Sequence, residues 1–155
     1  MNTIFFKIIY KIKFIWDKIM HITLKNLLKI NDNVKYKLST LNKTLKDLRV
    51  IAVSKTFAIE HIKPLIDYGH IDYGENKVQE AIDKWTKVKK DNSSIKLHLI
   101  GRLQSNKVKF AVKLFDYIHS LDSKKLADKI SKQQKELDKE TKLFIQVNIG
   151  NEDQK

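Results

Sequence analysis

From residue 48 to residue 149, short runs rich in β-branched and aromatic side chains alternate with longer stretches of helical spacing, and this rhythm constrains the fold more than any other feature. The runs span residues 48–54 (LRVIAVS), 71–73, 95–100, 117–121 and 143–149 (LFIQVNI). Strands that alternate with helices pair in parallel, because a parallel neighbour needs a crossover connection and a helix is the usual one. The pattern therefore predicts an α/β fold. An open doubly wound sheet and part of an eight-stranded (βα)8 barrel both fit, and periodicity alone does not choose between them.

The intervening stretches predict helices over residues 58–68, up to about 89, 105–114 and 123–140. Gly69 suits a helix C-cap, Asp122 or Ser123 an N-cap. Pro64 lies inside the first of these helices, deep enough to kink it or shift its start. Ahead of the rhythm, Leu27, Leu28, Val34, Leu38, Leu41 and Leu45 recur mostly three to four residues apart and predict one leading helix over 25–45.

The first twenty residues are apolar and basic, but Lys7, Lys11, Lys13 and Lys18 break every apolar run before it reaches the roughly 18 residues of a spanning helix. An amphipathic helix lying on a membrane surface is the lesser alternative. The favoured reading makes residues 1–24 a basic, apolar extension and residues 25–155 one domain. A chain of 155 residues, 42% of them hydrophobic, has enough apolar material for one core. The formal charge of +13 is front-loaded: residues 1–50 hold eleven Lys and Arg against three Asp, and the remainder twenty against fifteen Asp and Glu. Beyond residue 50 the charges are mixed, as on solvated helix faces, which argues against a specific nucleic-acid surface. The absence of Cys removes disulfides, thiolate nucleophiles and Cys-based zinc sites, and is compatible with a reducing cytoplasm.

In both candidate architectures chemistry collects at the C-terminal ends of the parallel strands. Lys55 follows the apolar run Val50, Ile51, Ala52, Val53; partly buried there, its amine would be freed to condense with an aldehyde, whereas pointing into solvent it would do nothing. Asn76 either meets a ligand or caps the next helix. Asn106 and Lys107 either hold an anion or start a helix. The five His show no metal-ligand spacing, so no metal is expected. Nucleotide-type phosphate loops and a GxSxG elbow are also missing from the sequence.

Four segments in this order, AVSKT (52–56), YGENKVQE (73–80), HLIGRLQSNK (98–107) and IQVNIGNEDQK (145–155), resemble the pyridoxal phosphate homeostasis protein family. The resemblance covers residues 48–155. It implies a (βα)8 barrel like the N-terminal domain of alanine racemase, represented here by about five βα units after one or two N-terminal helices. It further implies pyridoxal 5′-phosphate (PLP) as cofactor, Lys55 as its Schiff-base lysine, Asn76 near its ring, and a non-catalytic, cytoplasmic role. Phe57 and Ala58 depart from the family's pattern, which often continues the lysine motif with a basic or polar residue and then proline. In the family, the groups that grip the PLP phosphate and an Arg near the pyridine nitrogen come from later units. The expectation is a truncated form with open edges on its first and fifth strands and weak binding of its own. A fragment of a PLP-dependent racemase and a non-functional gene fragment are the alternatives.

Overall fold

The computed structural model describes residues 20–44, 46 and 48–149. Two compact units emerge: one holds the described residues up to Arg49 with Glu60–Gly69, the other Val50–Ile59 with the described residues from His70 onward. Residues 1–19, assigned from sequence to the extension, lie outside the described residues.

The first unit is helical. Helix α1 (Ile22–Ser39) begins where His21 Nδ1 accepts a hydrogen bond from the Thr23 amide, and it buries Leu27 and Leu38 from the apolar stripe. It starts and ends earlier than the spacing predicted. Leu41 is 65% exposed, and Asn42 takes a left-handed φ of 55°, which terminates the helical path. Helix α2 (Ile59–Asp67) runs through Pro64 and buries Ile62 and Leu65. Gly69 follows with φ 91°, the left-handed conformation for which a C-cap glycine is suited.

The second unit is a five-stranded sheet in the order β1-β2-β3-β4-β5, every neighbouring pair parallel. The strands are β1 (Ala52–Val53), β2 (Asp72–Glu75), β3 (Lys96–Leu99), β4 (Tyr117–Leu121) and β5 (Lys142–Ile145). This strictly sequential order is that of successive barrel units; a doubly wound sheet reverses direction partway. The topology thus makes the choice that periodicity left open, and the fold is α/β of the partial-barrel kind. Helices α3 (Val78–Asp91), α4 (Val108–Leu114) and α5 (Lys124–Leu137) are the crossovers.

Three strands are shorter than their apolar runs. The clearest case is β1, expected over 48–54 but laddered only at Ala52 and Val53, opposite Tyr73 and Gly74. As an edge strand it has ladder partners on one side only, and Leu48 and Val53 are exposed. The other edge, β5, ends at Ile145, after which Val147 and Ile149 are exposed. These are the two open edges expected of an unclosed barrel sheet. The stretch 105–114 opens with a single 3-10 turn (Ser105–Lys107) before α4.

Strand alternation splits the sheet's side chains between two faces. One carries Tyr73, Leu97, Leu99 and Ile118, all fully buried, with Trp85 of α3 against Tyr73 at a ring separation of 4.8 Å. The opposite face, the interior side of a barrel, carries Val53, Gly74, His98 and Tyr117 in one register row.

Candidate functional site at the strand C-termini

The two residues singled out from sequence follow the C-terminal ends of two neighbouring strands. Val53 pairs with Gly74, and one step of two residues further along each strand stand Lys55 and Asn76. Neither side chain makes a hydrogen bond or ion pair among the described residues.

Lys55 is exposed, so of the two alternatives weighed for it, partial burial and a solvent-pointing side chain, the structure shows the second. The reason is local: the chain leaves the ladder at Ser54 and turns, with the Phe57 amide donating to the Ser54 carbonyl at 3.3 Å. Lys55 occupies the second position of that turn. Thr56 occupies the third, with φ 66°, a value at which such turns normally use Gly or Asn.

Asn76 is half-buried in the bend after β2. The capping role weighed for it belongs to no side chain: Lys77 holds the N-cap position of α3 and makes no side-chain cap bond. Asn76 is fixed instead by its backbone. A Cβ on Gly101 would lie 2.2 Å from the Asn76 carbonyl oxygen, so only glycine lets the end of β3 press this closely on the bend. The Ile100 amide, donating to the Glu75 carbonyl at 2.9 Å, holds the same two strand ends together.

Behind Lys55 lies a polar cluster that sequence reasoning missed. Glu75 is fully buried, and its Oε1 accepts from Ser54 Oγ (2.7 Å), Lys84 Nζ (2.9 Å) and Trp85 Nε1 (2.9 Å). Lys84 Nζ also donates to the Ser54 carbonyl at 2.8 Å. The GEN motif marked this position, but nothing in the spacing announces that Lys84 and Trp85, nine and ten residues on, turn back to it.

A second missed network crosses the interior face. His98 Nε2 lies 3.0 Å from Asp72 Oδ1, and His98 Nδ1 lies 3.0 Å from His119 Nε2. The His98 ring stacks on Tyr117 at 4.3 Å and the His119 ring on Phe144 at 4.5 Å. Burial, and secondarily the neighbouring His98, lower the pKa of His119 from its usual value, which keeps that imidazole neutral. Separations of 26 and 21 residues hid these pairs from any local pattern. Asn106 is exposed in the 3-10 turn, and Lys107 holds the N-cap position of α4 without a side-chain cap bond, its ammonium 5.8 Å from the Phe110 ring centre. Among the described residues no three metal-ligating side chains converge.

A sequentially wound parallel sheet with a lysine at the C-terminal end of its first strand defines a barrel-type α/β protein with its candidate site at the strand mouth. Comparison with known proteins supplies the family. The chain is 35% identical over 131 residues to the pyridoxal phosphate homeostasis protein of Pasteurella multocida, covering 84% of this chain and 56% of that one. It is 39% identical over 127 residues to the protein of the same name from Buchnera aphidicola, covering 82% and 55%. Among solved structures, PipY of Synechococcus elongatus with PLP bound matches at 38% identity with a TM-score of 0.66, over 74% of this chain and 53% of that one. An unknown protein from Bifidobacterium adolescentis matches at 28% identity with a TM-score of 0.75, over 84% and 56%. No family model matches. The chain belongs to the pyridoxal phosphate homeostasis protein family, and it spans about half the length of the curated relatives it matches.

Proposed function

We propose that this chain binds PLP covalently at Lys55, with Asn76 beside the cofactor ring, and serves PLP homeostasis rather than catalysis in a cytoplasmic setting. The observation that carries the reading is that Lys55 and Asn76 each follow by two residues the laddered pair Val53 and Gly74, at the C-terminal ends of neighbouring strands, both side chains unengaged among the described residues. It is supported by the relatives' name and by PipY, which was solved with PLP bound.

The residues present fit the cofactor. PLP supplies an aldehyde, which a neutral primary amine captures with loss of water. Lys55 offers an accessible amine for that capture. Asn76 offers an amide that both donates and accepts, its backbone held by the close approach of Gly101. Tyr117, Phe144 and the His98–His119 pair give the interior face flat, weakly polar walls suited to an aromatic ring.

The test is direct. PLP added to the purified chain should give visible absorbance, and borohydride should fix the cofactor to the peptide containing Lys55. Lys55→Ala should abolish that adduct. Attachment elsewhere with Lys55 unmodified would sink the assignment. The non-catalytic part is tested separately: interconversion of L- and D-alanine above the Lys55→Ala background would overturn it.

A further inference from the structure

We infer that Ser54, Glu75 and Lys84 form a clamp that positions Lys55 for cofactor capture, an inference that rests on Lys55 being the capturing lysine. The Ser54–Phe57 turn needs a positive φ at its third residue, and the sequence supplies Thr there rather than Gly or Asn. A β-branched residue in this conformation is strained and persists only where its surroundings over-determine it. β1 is poorly equipped to do so alone, being a two-residue edge strand.

The clamp provides what the strand lacks. Every polar group of Ser54 is engaged: its amide donates to the Gly74 carbonyl at 2.9 Å, its hydroxyl donates to Glu75 Oε1, and its carbonyl accepts from Lys84 Nζ and from the Phe57 amide. β2 contributes Gly74 and Glu75, and α3 contributes Lys84, so the residue before Lys55 is tied to two rigid elements. Burying a carboxylate and an ammonium to achieve this is costly compared with apolar packing. Glu75 Oε2 even remains without a hydrogen-bond partner, although it is buried. A costly network at the root of this strand-end lysine is explained if it sets that lysine's position. Misplacing a reacting group by about 1 Å can cost on the order of a hundredfold in rate.

Two variants separate positioning from mere stability. Ser54→Ala removes the hydroxyl and leaves the ion pair intact; the double variant Glu75→Gln with Lys84→Met removes both charges together and strands neither. Each is treated with PLP and borohydride, and the rate of labelling at Lys55 is divided by that at the exposed Lys87 of the same molecule. The expected result is a fall of roughly tenfold or more in this ratio for both variants while circular dichroism and melting report a folded chain. A general loosening of the fold would also lower Lys55 relative to Lys87, so the ratio is read only for variants whose circular dichroism and melting match the unaltered chain. An unchanged ratio in either folded variant overturns the clamp, and Ser54→Ala decides alone if the double variant does not fold. Should the unaltered chain show no preference for Lys55, the reading of Lys55 falls and takes the clamp with it.

Discussion

The two faces of the sheet are built on different principles. The helix-facing side is a packed apolar layer of Tyr73, Leu97, Leu99 and Ile118 against Trp85, with the single buried carboxylate of Glu75 set into it. The interior side carries Asp72, His98 and His119 in a hydrogen-bonded row, flanked by Tyr117 and Phe144, and leaves Val53 and Phe144 about half exposed. The contrast teaches a division of labour. Burial on one face holds the strands in register, and that register sets the C-terminal ends of β1 and β2, which Lys55 and Asn76 follow, beside each other.

The largest effect that tests this contrast is on the packed face. Trp85→Ala removes a fully buried ring and one of the three donors to Glu75, and should cost about 3–5 kcal/mol in urea denaturation. Phe144→Ala, on the interior face at 51% exposure, should cost about 1 kcal/mol or less. Similar losses for the two would break the division.

Next in size is Gly101→Ala. Its new methyl would meet the Asn76 backbone at 2.2 Å, so the strand ends must part, at about 1–3 kcal/mol. PLP retention at Lys55 should fall with it, because Asn76 moves. Unchanged thermal stability would show that the two strand ends are not locked together.

The smallest expected effect is a pH dependence. Burial lowers the pKa of both His70 and His119 from the usual 6.5. Just below pH 6.5 the unfolded chain therefore binds more protons than the folded one. Stability should be level in this respect above about pH 6.5 and decline as pH falls from there toward the lowered values. His119→Phe should flatten part of that decline in melting curves recorded between about pH 7 and 5. If the slope is unaltered, His119 is not held neutral by its surroundings, and the interior face is wetter than its stacking suggests.

Much of the fold was legible because its causes are local. The alternation of β-rich runs with helical spacing placed five strands and the connecting helices in order, and β4 falls on its expected residues. The expected ends of β1 and β5 were too generous, since composition registers apolar character but not whether a neighbour exists to pair with it. Lys55 and Asn76 could be singled out because strand ends are where a parallel sheet gathers its chemistry, and because the AVSKT and YGEN segments resemble a known family.

What the sequence determined by itself was therefore the class of fold and the order of its elements. Only the tertiary structure decided between barrel and doubly wound order, which depends on which strands become neighbours. It also decided that Lys55 is exposed on a strained turn, that Glu75 draws in Ser54, Lys84 and Trp85, and that Asp72, His98 and His119 join in one row. The physical reason is that hydrogen bonds and burial depend on distances across strands and between layers: the pairs Ser54–Glu75, Asp72–His98 and His98–His119, more than twenty residues apart, come within reach only once parallel register is set, and Lys84 and Trp85 reach Glu75 only once α3 packs on the sheet.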